Sequence, residues 1–256
     1  MPAVLIHGVP DTYRVWSEVT KHLSRTDVVT LALPGFASAV PPGFQSTKEE
    51  YVDWIIQELE QLAEPVDLVG HDWGCILVAR VASIRPDLIR TWAAGGGPVS
   101  RNYQWHPLAK LLQTPRAGEE WVANFNATQF RAQLEQLGLP SNASGETVNR
   151  IDKRMLESIL RLYRSAVHVG EEWQPGLEGV VAPGLVAWGE NDGGCPVRFA
   201  DELARDTRAA QVLKLDAGHW FLVERPAELA HALEEHWKLS QPRPLRQMVT
   251  PRAALP

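Results

Sequence analysis

The sequence predicts an α/β chain, with a parallel sheet covered by helices on both faces and one helical insertion. Three observations carry this. Short apolar runs of strand length alternate with longer amphipathic runs along most of the 256 residues. The apolar runs are nearly continuous, as in strands buried on both faces, which calls for helices on each side. The alternation breaks only once, over a long stretch with helical patterns and no convincing strand.

Taken in order, Ala3–His7, Val28–Leu33, Val66–Gly70, Ile89–Ala94, Gly184–Trp188 and Gln211–Leu215 read as buried strands. Between them, Tyr13–Leu23, Lys48–Leu62, Gly74–Arg85, Val197–Thr207 and Pro226–Leu239 carry apolar residues at helical spacing. The break runs from about Pro98 to Gly179, with helical patterns over Leu108–Leu112, Gly118–Asn124, Thr128–Leu137 and Thr147–His168. The expected organisation is a core of residues 1–97 and 180–239, a helical subdomain over 98–179, and a tail over 240–256. With Pro242, Pro244, Pro251 and Pro256, the tail is expected to be extended.

Composition excludes several classes of function. A net charge of −6 and the lack of a Lys/Arg cluster leave no surface for nucleic acid. The longest apolar runs, such as Cys75–Val78, fall far short of the roughly 18 residues that cross a bilayer. Met1–His7 lacks the charged and apolar regions of a signal peptide, so a cytoplasmic protein is expected. Two cysteines, Cys75 and Cys195, suit a reduced compartment without disulfides. No Cys/His group has metal-ligand spacing, and neither metal nor cofactor is expected. Oligomeric state is not legible, and a homodimer stays open.

The chemistry concentrates in Gly70-His71-Asp72-Trp73-Gly74, between an apolar strand and an amphipathic helix. This is the setting of a nucleophile elbow, where a strained turn lifts the central residue into the site. That residue is commonly Ser; here it is Asp72. With a reference pKa of about 3.9, a carboxylate is already ionised at neutral pH. It suits attack on an sp³ carbon bearing a leaving group, giving an ester on the enzyme. The competing reading is an Asp that merely caps the following helix.

Two further motifs favour catalysis. His7-Gly8-Val9-Pro10-Asp11 follows the first strand, and its turn offers the Val9 N–H as half of an oxyanion hole, with the Trp73 N–H as the other half. Asp216-Ala217-Gly218-His219-Trp220 follows the last strand and places His219 to activate water. The third member comes from Trp188-Gly189-Glu190-Asn191-Asp192. Asp192 is chosen to orient His219, Glu190 is the alternative, and Asp216 lies too near His219 in the chain. Nucleophile, acid and His follow in the chain order this elbow accompanies.

These residues resemble the epoxide hydrolase and haloalkane dehalogenase branch of the α/β-hydrolase fold, over residues 2–97 and 182–238. The likeness is specific at HGVPD, GHDWG, WGEND and AGHWFLVERP, and GHDWG looks most like epoxide hydrolases. It implies that the insertion is a cap carrying donors for the departing oxygen or halide. Because the sequence opens directly on the HG strand, the antiparallel hairpin that usually opens this fold is expected to be missing. Epoxide hydrolases have two cap tyrosines, and Tyr163, about thirty residues before Asp192, fits the second. The first has no obvious equivalent ahead of Gln113-Thr114-Pro115, leaving Tyr103, Trp105 or His106 to replace it. A Trp–His pair with a later Tyr is also similar to fluoroacetate dehalogenases, but their arginines after the nucleophile are absent.

The leading expectation is therefore an enzyme opening an epoxide to a diol through an Asp72 ester, with Tyr163 as acid. Halide release is second. It would rely on the Trp73 and Trp105 indoles, yet Val9 stands where many dehalogenases have a donor Asn. A third reading, of another class, is a non-catalytic small-molecule receptor on the same fold. The cap helices are mostly apolar inside, so the expected partners are a neutral hydrophobic small molecule and water.

Overall fold

The six apolar runs form six strands, β1 Ala3–Ile6, β2 Val28–Leu31, β3 Val66–His71, β4 Ile89–Gly95, β5 Gly184–Gly189 and β6 Gln211–Leu215. They build one sheet in the order β2-β1-β3-β4-β5-β6, and every neighbouring pair is parallel. The structure, a computed structural model, describes residues 1–239, so the tail read as extended lies outside the described residues. Strand order reverses at β1, because β2 lies on one side of it and β3 on the other. Such a reversal opens a crevice at the carboxyl ends of the two strands. The HG turn after β1 and the elbow after β3 both face that crevice.

The core helices are α1 Ser17–His22, α2 Lys48–Glu60 and α3 Trp73–Ile84. Between β4 and β5 come α4 Pro107–Gln113, α5 Ala117–Ala123, α6 Ala127–Gln136, α7 Ser141–Val148, α8 Lys153–Ser165 and α9 Val169–Trp173. After β5 come α10 Arg198–Thr207 and, beyond β6, α11 Phe221–Glu224 and α12 Pro226–Leu239. Side chains alternate across a strand, so β1 sends Ala3 and Leu5 to one face and Val4 and Ile6 to the other. The first face packs against Trp16 and Val19 near and in α1, and against Leu229, Leu233 and Trp237 of α12. The second meets Tyr51 and Ile55 of α2, Leu77 and Val81 of α3, and Phe199 and Leu203 of α10. Helix starts follow local chemistry: the Thr47 hydroxyl accepts the Glu50 N–H and the Glu50 carboxylate accepts the Thr47 N–H, a capping box opening α2.

Two helix expectations need correcting, one in the insertion and one in the core. The helical pattern over Thr147–His168 is two helices, α7 and α8. The Asp152 carboxylate accepts the Met155 N–H at 2.8 Å and starts α8 afresh, after the chain has turned at Asn149–Ile151. Tyr13–Leu23 likewise divides into a 3-10 turn over Tyr13–Trp16 and the short α1, because the Thr12 side chain accepts the Arg14 N–H and tightens the start. Among the described residues, no helix is long and apolar enough to cross a membrane.

Candidate active site

Asp72 is the first residue beyond β3 and stands at φ 56°, ψ −120°. A residue with a Cβ enters this region at a cost of about 1–3 kcal/mol, so the surroundings must impose it. They do so from both sides: the Asp72 N–H donates to the Gly95 carbonyl at 2.9 Å, and its carbonyl accepts the Cys75 N–H at 2.9 Å. A Cβ on Gly74 would lie 2.3 Å from the Ile6 carbonyl oxygen, so only glycine lets α3 begin so close to β1. The Asp72 side chain makes no capping bond to α3, which disposes of the helix-cap reading. Instead Oδ1 accepts the Val9 N–H at 2.7 Å, while Oδ2 lies 3.5 Å from His219 Nε2. Trp73, in the first turn of α3, has an N–H without an intrahelical acceptor, as helix geometry requires.

His219 comes from the loop after β6 and Asp192 from the loop after β5. His219 Nδ1 donates to Asp192 Oδ2 at 2.8 Å. The other oxygen, Oδ1, accepts the N–H groups of Gly194 at 2.9 Å and Cys195 at 2.7 Å, so the carboxylate cannot swing away. Glu190 is exposed, and the exposed Asp216 accepts from the Asn191 side chain. Asp192 is therefore the acid that meets His219.

Burial alone would raise Asp72, but the His219 hydrogen bond and charge, with the Val9 N–H, hold it below the usual carboxylate range. For His219, burial works against the proton. The charge and hydrogen bond of Asp192, helped by Asp72 and Cys195, outweigh it and raise the imidazole well above 6.5. The resting pair is thus a carboxylate facing an imidazolium.

Several groups in the motifs brace this arrangement in ways the sequence reading did not assign. The His71 Nε2–H donates to the His219 carbonyl at 2.8 Å; burial lowers His71 to about 4, leaving it neutral. His7 Nε2 accepts the Leu33 N–H at 3.1 Å and its Nδ1–H donates to the Gly8 carbonyl, pinning the HG turn to the loop after β2. Buried Asp11 accepts the Trp220 indole N–H at 2.9 Å, and the Trp220 ring lies against His219 with centroids 4.8 Å apart. Burial pushes Asp11 up to about 7. The signal for these groups was present in the sequence: imidazoles and a carboxylate inside motifs flanking buried strands, where polar groups need partners.

Gly8 offers a direct probe of the site. A Cβ there would stand 2.3 Å from Asp72 Oδ1 and 2.4 Å from its Cβ. Gly8→Ala should therefore fold, as judged by circular dichroism, while displacing the carboxylate and cutting turnover at least about tenfold, as misplacing a reacting group does. A Gly8→Ala protein with wild-type turnover would contradict the reading of Asp72 as the reacting group.

Above Asp72, the cap contributes an aromatic cluster. Tyr163 on α8 is buried with its ring edge-on to Trp73, centroids 5.2 Å apart, and Trp105 stacks on Trp73 at 5.9 Å. Burial and the nearby Asp72 charge push the Tyr163 hydroxyl far up, and a hydrogen bond from the Trp73 side chain pulls it back only in part. His106, ring centroid 6.1 Å from Tyr163, accepts the Ala109 N–H through Nδ1 as the N-cap of α4. Because burial lowers its pKa, the ring is neutral with its proton on Nε2. Tyr103 is less suited to serve as the first cap tyrosine, because its O–H donates to the Gly194 carbonyl at 2.9 Å. Asp72, His219, Asp192, Tyr163, Val9, Trp73, Trp105 and His106 thus converge, and Tyr103 closes the wall behind them.

The family model described as the alpha/beta hydrolase family matches residues 3–232. The chain belongs to that family. Among this hydrolase's relatives is the (E)-2-((N-methylformamido)methylene)succinate hydrolase of Acinetobacter baylyi, 21% identical over 91% of this chain and 89% of that protein. Mouse (Mus musculus) epoxide hydrolase 4 is 22% identical over 87% of this chain and 69% of its own length. The haloalkane dehalogenase DbeA of Bradyrhizobium elkani superposes with a TM-score of 0.76, at 19% identity over 93% of this chain and 91% of that one. An α/β-hydrolase with epoxide hydrolases among its relatives and dehalogenases among proteins of its fold is an enzyme family member, and its reaction must be argued from the site.

Proposed function

We propose that this hydrolase opens a neutral, hydrophobic epoxide to a diol through an alkyl ester on Asp72. The observation that carries the reading is the placement of Asp72, ionised at the elbow with Oδ1 held by the Val9 N–H and Oδ2 beside His219. A serine in this position would need His219 to take its proton before attacking; a carboxylate needs no base.

In the first step Asp72 Oδ2 attacks an epoxide carbon, the carbon–oxygen bond breaks, and the freed oxygen takes the Tyr163 proton. Burial and the nearby Asp72 charge keep the Tyr163 phenol protonated and so able to donate. The His106 Nε2–H supplies the second hydrogen bond that a further tyrosine gives in the relatives. Through solvent, imidazolium His219 returns a proton to Tyr163 and becomes neutral; esterification has removed the Asp72 charge that helped to hold that proton. In the second step His219 Nε2 takes a proton from water as the oxygen attacks Asp72 Cγ. Negative charge grows on Oδ1, where the Val9 and Trp73 N–H groups meet it. Collapse breaks the acyl–oxygen bond, the diol leaves with the His219 proton, and the regenerated acid of Asp72 gives its proton back to His219.

Halide release is the second reading, favoured by the stacked indoles of Trp73 and Trp105. It is weakened by the apolar Val9 side chain, which offers no donor to a halide. Tyr163→Phe decides between them. On epoxides, loss of the hydroxyl should slow alkylation about 10²-fold or more, the range of general-acid assistance. On haloalkanes the same change should be mild, while Trp73→Phe and Trp105→Phe should be severe. Measuring diol and halide separately over a mixed panel reads both arms, and a Tyr163→Phe enzyme opening epoxides at the wild-type rate refutes the acid.

A further inference from the structure

Beside the triad lies a group its chemistry does not use. Cys195 is buried, free of any disulfide and beside the His219–Asp192 pair. One donor atom each from Cys195, His219 and Asp192 lie within 4.8 Å of one another. We propose that these three side chains also form a binding site for a thiophilic divalent cation, zinc above all, and that its occupation stops the hydrolase by taking His219 and Asp192 out of the triad.

Zinc favours this donor set. It takes sulfur, imidazole nitrogen and carboxylate oxygen in tetrahedral sites, with bonds of about 2.0–2.3 Å, so the donors need to close by about 1 Å. A water completes the fourth position. Preorganisation comes from the backbone: the Cys195 N–H donates to Asp192 Oδ1 at 2.7 Å, and its carbonyl accepts the Trp188 indole at 2.6 Å. The thiol is thereby fixed relative to the acid before any cation arrives. The path from solvent is short, since exposed Gly193 and half-buried Gly194 immediately precede Cys195. Linear spacing concealed the group: the cysteine follows Asp192 by three residues and precedes His219 by twenty-four, which matches no metal motif. Only the adjacency of the loops after β5 and β6 gathers the donors.

On binding, the thiol proton and one imidazolium proton of His219 leave to water, and the freed ring nitrogen bonds the cation. Either nitrogen gives the same outcome. Through Nδ1 the bond to Asp192 is lost, and through Nε2 the base itself is blocked.

The inhibition rests on the reading of His219 and Asp192 as the working pair, whereas binding can be measured without any substrate. Full-length protein stripped with chelator would be titrated with zinc chloride under equilibrium dialysis, and in parallel with cobalt chloride to follow the thiolate-to-cobalt charge-transfer band. Wild type should bind one zinc per chain and show the band. Cys195→Ala and Cys195→Ser should lose the band and weaken zinc at least about 100-fold, since even residues supporting a ligand are worth roughly 10–100-fold. Cys75→Ala, whose thiol donates to the Gly97 carbonyl and is not among the three gathered donors, should bind as wild type does. With an epoxide that turns over, micromolar zinc should halt wild type reversibly and spare Cys195→Ala, each compared with its own zinc-free rate. Equal zinc affinity in wild type and Cys195→Ala, or no band in wild type, overturns the site. Failure of epoxide turnover with binding intact overturns the proposed reaction instead.

Discussion

Replacing His219 with Gln should yield a protein that alkylates itself with its substrate and then stops. Nothing in the first step needs a base, because Asp72 is already ionised and the Val9 N–H still holds Oδ1 at 2.7 Å. Tyr163 still supplies the proton for the departing oxygen. The second step fails, since it loses the base beside the ester, His219 Nε2, 3.5 Å from Asp72 Oδ2. Steady-state turnover should fall roughly 10²–10⁴-fold, the scale of general-base catalysis. Intact-protein mass spectrometry should show an increase equal to one substrate, on the peptide carrying Asp72. Absence of an adduct with every substrate the wild type consumes would rule out a carboxylate nucleophile.

The parts of this molecule that were legible in the sequence are those where one physical demand dominates. A strand buried on both faces must be apolar throughout, so β1, β3 and β5 announced themselves within a residue or two of their ends. The elbow needs small residues on both sides of the nucleophile, and Gly70 and Gly74 stand where that crowding occurs. The insertion was less legible because its helices are short and their apolar spacing runs across breaks. Val148 and Met155 share a periodic pattern, yet Asp152 restarts the helix between them. Helix α7, with Ser141, Asn142, Ser144 and Gly145, carries too few apolar residues to look helical at all.

The meeting of Asp72, Asp192 and His219 could be read because each sits in its own motif at the end of a strand. What could not be read is how distant motifs hold one another. His71 bonds the backbone of His219 across 148 positions of chain, and Asp11 bonds Trp220 across 209. Such pairs are products of the strand order, which brings the ends of β1, β3 and β6 to one edge. The tautomer of His106 depends on its position as the cap of α4, a local fact of backbone geometry that spacing alone does not convey.

Asp192→Asn should be folded and nearly inactive, for reasons set by the two backbone donors on Oδ1. Asparagine has one acceptor oxygen, and the N–H groups of Gly194 and Cys195 require it at the Oδ1 position. The amide NH₂ must then occupy the place of Oδ2 and point at His219 Nδ1. An N–H cannot receive an N–H, so Nδ1 gives up its proton and the imidazole holds the remaining one on Nε2. That nitrogen faces Asp72, and in this tautomer it cannot accept a proton from water. The lost negative charge also removes the main force that raises His219 above its ordinary pKa. Turnover should fall on the order of 10⁴-fold, as it does when the orienting carboxylate of a serine-protease triad becomes an amide. Exposed Glu190 has no path to restore it. Alkylation should persist, so a rapid burst of ester should precede a slow steady state in quenched-flow measurements. Asp192→Ala differs instructively: it strands the buried Cys195 N–H, at about 1–3 kcal/mol, and should lower Tm where the Asn variant does not. An Asp192→Asn enzyme that hydrolyses its ester at near the wild-type rate would show that another group orients His219.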